Sequence, residues 1–84
     1  MKRPLMVLYD VPDDALRYRV SEAWKDYGLE RIQYSAFLGH LTRNRKEELA
    51  QRLKREVKKK DATVHLFSLQ KEQVEAALLI QKPK

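Results

Sequence analysis

This sequence predicts an α+β sandwich, a sheet carrying its helices on one face. Three observations carry that expectation. Leu5 to Tyr9 is a run of five apolar residues, too short for a helix or a membrane span, closed by Asp10, Val11 and Pro12; it reads as a strand buried on both faces. Two stretches with helical spacing follow, separated by one with two-fold alternation. The chain has 84 residues, enough for one domain, residues 1–84, and no more.

Residues 4–10 form the first strand, and Asp10 ends it, at the carboxyl end, where open α/β sheets place functional groups. A carboxylate at the end of a buried strand costs free energy unless it is hydrogen-bonded, paired or bound to a metal. Asp13 is the N-cap of the first helix, whose apolar positions Leu16, Val20, Ala23, Trp24 and Tyr27 fall within a stripe of about 100°. Arg17 and Arg19 flank that stripe on opposite sides. Gly28 closes the helix in the left-handed region.

From Leu29 to Leu41 the period is two. Ile32, Tyr34, Ala36 and Leu38 share one face; Arg31, Gln33, Ser35, Phe37 and Gly39 share the other, more polar one. This is one bulged strand, or two short strands with a turn near Ser35 or Gly39. Thr42 caps a second helix from about Arg43, with Leu49, Ala50, Leu53 and Val57 as its narrow apolar stripe. Ala62 to Leu69 is another strand. Residues 69–84 are a tail in which Val74, Ala77, Leu78 and Ile80 suit a short helix, a last strand over Ala77 to Gln81, or one followed by the other.

Strand, helix, strand or hairpin, helix, strand is the order of a ferredoxin-like sandwich, an antiparallel sheet with two helices on one face. The other face is then open, although the first strand is apolar on both sides. A second copy of the chain is the economical cover, so a homodimer packed through that face is expected. A chain this small buries only about 60–65% of its unfolded surface, and it has no cysteine to reinforce it. No apolar segment is long enough for a membrane helix or a signal peptide, so a soluble, cytoplasmic protein with no membrane partner is expected.

The net charge of +6 is concentrated in one place. Between Thr42 and Lys60 stand nine basic residues, including Arg52, Lys54, Arg55 and Lys58, against three acidic ones, so the rest of the chain is neutral overall. Nucleic acid is the partner such a segment fits; a solvated helix face is the bland alternative.

Tyr9-Asp10-Val11-Pro12-Asp13-Asp14, then Arg17, Arg19 and Gly28, and above all Arg31-Ile32-Gln33-Tyr34-Ser35-Ala36-Phe37-Leu38-Gly39, resemble the CRISPR-associated Cas-two family over roughly residues 5 to 69. These are small endonuclease-like proteins found beside the CRISPR integrase, Cas-one. The resemblance implies a ferredoxin-like homodimer whose two Asp10 carboxylates face each other and share a divalent metal, Mg²⁺ or Mn²⁺. It implies cleavage of single-stranded RNA or duplex DNA in some members, and in others a dimer that bridges the integrase while DNA is captured as a new spacer. Asp10 would be the metal ligand, and Tyr9, Arg17, Arg19, Arg31 and Phe37 match positions linked to activity. The chain departs from the family at Ser68-Leu69-Gln70-Lys71, where a cysteine-containing segment is frequent. Its closing strand, Ala77-Leu78-Leu79-Ile80, which would be exchanged with the dimer partner, is an approximate match.

Each residue has a plainer reading. Asp10 could accept a bond from a turn amide, although Asp13 already serves as the cap; Asp13 and Asp14 are second choices as ligands. Arg17, Arg19 and Arg31 could grip phosphate or pair with Asp10, Glu22 or Glu30. Phe37 could stack on a base, but filling the dimer interface is favoured. Tyr9 suits the core as well as catalysis. His40 and His65 have no partner at ligand spacing and receive no role. Two functions remain: a metal-dependent endonuclease centred on paired Asp10, or a non-catalytic DNA-holding scaffold for the integrase. An RNA-recognition domain on the same fold is a distant third, lacking the aromatic strand motif.

Overall fold

The computed structural model describes residues 1–58 and 60–76. Its elements are β1 (Arg3–Asp10), α1 (Asp14–Asp26), β2 (Glu30–Gln33), β3 (Ala36–Leu41), α2 (Arg43–Glu56), β4 (Thr63–Ser68) and α3 (Lys71–Ala76). The four strands form one sheet in the order β2-β3-β1-β4, every neighbouring pair antiparallel. This is the ferredoxin-like sandwich expected from the element order. The most apolar strand, β1, is paired on both sides over Leu5 to Leu8, which satisfies its central backbone within the sheet.

Alternation along β1 decides which side chains meet the helices. Leu5, Val7 and Tyr9 are buried there, joined through the strand register by Phe37 and Leu41 of β3 and by Val64 and Leu66 of β4. From α1 come Leu16, Val20, Ala23 and Trp24, and from α2 come Leu49 and Leu53. Burying a side chain of this size contributes about 1.5–3 kcal/mol. Tyr9, Trp24 and Phe37 form an aromatic cluster, with ring centroids 5.9, 6.2 and 6.5 Å apart. Ion pairs across the two helices, Arg52–Asp26 at 3.1 Å and Arg19–Glu56 at 3.4 Å, lie on the surface and add little.

Local chemistry sets the element ends. The Asp13 carboxylate accepts from the Leu16 N–H at 2.8 Å and the Thr42 hydroxyl from the Arg45 N–H at 3.2 Å, as the capping pattern predicts. Gly28 has φ +80°, the left-handed conformation that lets the chain leave α1. At Gly39 a Cβ would run into the Leu29 side chain and lie 3.1 Å from its Cα, so a larger residue there must displace Leu29.

The choice left open over Leu29 to Leu41 resolves into two strands, with a turn at Tyr34-Ser35 and a bulge between Arg31 and Gln33. The alternation was correct, but the face that carries the core is the opposite one. Phe37 pairs with Val7, so it points toward the helices and is 1% exposed. It therefore fills the interior of a single chain, not a dimer interface, and no base can reach its ring. The apolar even-numbered set, Ala36 and Leu38, lies on the open face with Met6, Leu8 and Phe67, while Ile32 and Tyr34 are exposed. Lys71–Ala76 is the short helix that was one option for the tail; the expected strand at Ala77 to Gln81 lies outside the described residues.

Candidate functional site

Asp10, the last residue of β1, is paired in register with Thr63. Tyr9 points to the helices, so Asp10 points to the open face, at the rim of the surface carrying Met6 and Leu8. Its side chain is exposed and makes no hydrogen bond or ion pair among the described residues. The desolvation cost argued from a buried strand end therefore does not arise: β1 is buried, but its last carboxylate is in water. Among the described residues no cluster of three or more His, Asp or Glu side chains could hold a metal. A hard cation at Asp10 would therefore need further oxygen ligands, which a second copy could supply.

The other candidates divide between two places. Arg17 reaches back from α1 to the turn after β1, where its Nη1 donates to the carbonyls of Val11 at 3.0 Å and Pro12 at 3.4 Å and its Nη2 donates to Asp14. The bond to Asp14 holds the Arg17 guanidinium above its ordinary pKa. Asp13 next to it is lowered, mainly by the Leu16 N–H and further by Lys60, whose Nζ stands 3.6 Å away. Arg17 thus braces the loop that begins at Asp10, while Arg19 leaves on the other side of α1 toward Glu56. Neither pairs with the partners expected of them, Asp10, Glu22 or Glu30.

Arg31 lies over the Phe37 ring, 4.9 Å from its centroid, and its Nη1 donates to the Tyr34 carbonyl. The Tyr9 hydroxyl donates to the same carbonyl at 3.4 Å, and the Tyr9 N–H to the Ser35 carbonyl at 3.0 Å. The β2–β3 turn is thereby fastened to β1 from below. Between this turn and α1 lies a cavity of about 230 Å³ lined by Tyr9, Asp14, Arg17, Tyr18, Ser21, Arg31 and Tyr34. The structure therefore brings Tyr9, Arg17 and Arg31 together and leaves Asp10 on the opposite face of the sheet. Tyr18 and Tyr34 were not singled out in the sequence. Tyr34 stood in the conspicuous 31–39 stretch, but only the tethered turn shows that its ring faces solvent.

On α2 the charge run is partly spent on local pairs. Arg43 meets Glu47 at 3.5 Å, Arg45 meets Glu48 at 2.9 Å and lies over Tyr27, and Arg52 meets Asp26. Lys54, Arg55 and Lys58 are exposed without an ion pair among the described residues.

Fold and side-chain placement define a ferredoxin-like α+β protein with an open apolar sheet face, a carboxylate at its rim and a cationic helix. The family model for CRISPR associated protein Cas2 matches residues 3–77. A CRISPR-associated endoribonuclease Cas2 of Chloroflexus aurantiacus is 50% identical over 62 residues, 74% of this chain and 73% of that protein. A Cas1/Cas2 endonuclease fusion of Thermoproteus tenax is 36% identical over 76 residues, 90% of this chain and 29% of the fusion. A crystal structure of Cas2 superposes with a TM-score of 0.80 at 31% identity, covering 99% of this chain and 90% of that one. The chain belongs to the CRISPR-associated Cas2 family. Among the described residues no helix is long and apolar enough to cross a membrane.

Proposed function

We propose that this chain is a CRISPR spacer-acquisition protein that works as a homodimer and hydrolyses phosphodiester bonds in single-stranded RNA or duplex DNA. The observation that carries the reading is the placement of Asp10 at the rim of an open, apolar sheet face. Two copies packed through Met6, Leu8, Leu38 and Phe67 about a two-fold axis near this rim would bring their Asp10 residues together. Two carboxylates brought together without a counter-charge repel, and a divalent cation, Mg²⁺ or Mn²⁺, relieves this. When bound, such a cation offsets phosphate charge and makes its bound water more acidic. The protein's own part is to hold each carboxylate at the end of a paired strand and to brace the following loop through Arg17.

The second reading is a dimeric scaffold that holds DNA for the integrase Cas1 without cutting it. Lys54 and Arg55 on α2, with Lys58 in the turn that follows it, favour it, and the fusion of the two proteins in a relative supports Cas1 as partner. A cleavage assay separates the two. Purified protein is offered single-stranded RNA and duplex DNA with Mg²⁺, Mn²⁺ or chelator, beside Asp10→Ala. Cleavage that needs metal and vanishes in the variant supports the enzyme. No cleavage, or cleavage that survives Asp10→Ala, leaves the scaffold.

A further inference from the structure

We propose that the cavity between α1 and the β2–β3 turn takes one unpaired nucleotide, with its base on the rings of Tyr34 and Tyr18 and its phosphate on Arg17 and Arg31. The proposal rests on the nucleic-acid reading above but not on Asp10, which lies across the sheet. Three of the four tyrosines of the chain line this one cavity. Tyr9 forms its floor, whereas Tyr18 and Tyr34 are 65% and 73% exposed. Large rings held out in water beside guanidinium groups are what a stacking platform for single strands requires, since every base offers a π-face and every linkage a charge.

The platform is preorganised. The Tyr34 backbone is gripped through its carbonyl by Tyr9 and Arg31, and the following carbonyl by the Tyr9 N–H. Arg17 is held by two carbonyls and Asp14, which leaves it N–H groups unspent out of five. Two cations against the one acid, Asp14, leave the lining positive. Size sets the ligand. About 230 Å³ is less than the roughly 300–1,000 Å³ of drug-sized clefts, so the cavity suits a single nucleotide and not a longer stretch of strand. A base pair within a duplex does not present a free face to it. The small, charged hollow also argues against a protein partner, whose interface core is depleted of charge.

The test uses the full chain and oligonucleotides carrying a fluorescent adenine analogue, as single-stranded RNA, single-stranded DNA and duplex. On wild type the single strands should show quenching by ring stacking. Tyr34→Leu, which keeps apolar bulk and removes the ring, and Tyr18→Leu should each weaken single-strand affinity about ten-fold. Tyr34→Phe should retain it, and duplex affinity should stay at the wild-type value in all three. Equal losses on single strand and duplex, or no loss in either leucine variant, overturn the proposal while nucleic-acid binding stands. If wild type binds no oligonucleotide at all, this proposal and the broader reading fall together. If the leucine variants lose only binding to purified Cas1, the cavity is a protein-docking site and the proposal is wrong.

Discussion

The Arg31 guanidinium lies 4.9 Å above the Phe37 ring, so an exposed cation caps a residue that is itself 1% exposed. The two are register partners on neighbouring strands. Phe37 thereby influences the surface without touching it: its ring sets the height and tilt of the charge. Phe37→Ala should cost about 3–5 kcal/mol of stability, as aromatic deletions in packed cores do. Arg31→Ala should leave the urea midpoint nearly unchanged and weaken oligonucleotide binding. Measuring both properties on both variants checks the division; a destabilised Arg31→Ala beside a stable Phe37→Ala would reverse it.

The open sheet face should be the site of self-association. Leu8 and Phe67 are 38% and 40% exposed in one chain, a poor arrangement for large apolar groups in water. Leu8→Glu combined with Phe67→Glu should convert a dimer into a monomer in sedimentation equilibrium while leaving the helical circular dichroism intact. An unchanged mass would place the contact elsewhere.

Acid should remove the contribution of the first helix cap. The folded state lowers the Asp13 pKa from its ordinary 3.8 through the Leu16 N–H, so folding favours the charged form. Its contribution is therefore full above 3.8 and is lost as pH falls through the lower folded value. Asp13→Ala should melt below wild type at neutral pH, and the gap in Tm should close in strong acid. A gap that stays constant through that range would mean the carboxylate charge contributes nothing.

Gly39→Ala tests the contact between β3 and the residue that leads into β2. The added methyl group must displace the Leu29 side chain and crowds its Cα at 3.1 Å. Overpacking of this kind costs about 1–3 kcal/mol, readable as a lower urea midpoint. A neutral result would show that the Leu29 backbone yields easily.

The order of elements, both N-caps and the left-handed glycine were legible because each depends on neighbours a few residues away. Phe37 was not. Alternation from Arg31 to Gly39 sorts side chains into two sets, but it does not say which set meets the helices. Here both sheet faces are apolar, and the rim of the covered face carries an arginine, which made that face look solvated. The register of Phe37 against Val7 decides the question, and register is a long-range property. Asp10 was placed correctly at the strand end, yet its exposure was missed, because burial of β1 does not extend to its last outward-facing residue. The partners of Arg17 and Arg19, Asp14 and Glu56, depend on how the loop folds back and how α2 lies along α1.

Tyr9 and Asp10 are adjacent in sequence but face opposite sides of the sheet. The pleat therefore works as a partition with two independent ports. A spectroscopic label near Asp10 would report on pairing between chains, and one near Tyr34 would report on a strand arriving from the other side, with little crosstalk. Inserting a single residue into β1 upstream of Tyr9 would exchange the ports, turning the carboxylate toward Trp24 and the phenol toward the open face. Natural variation can remodel either port by point substitution, but an insertion within that strand would scramble both at once.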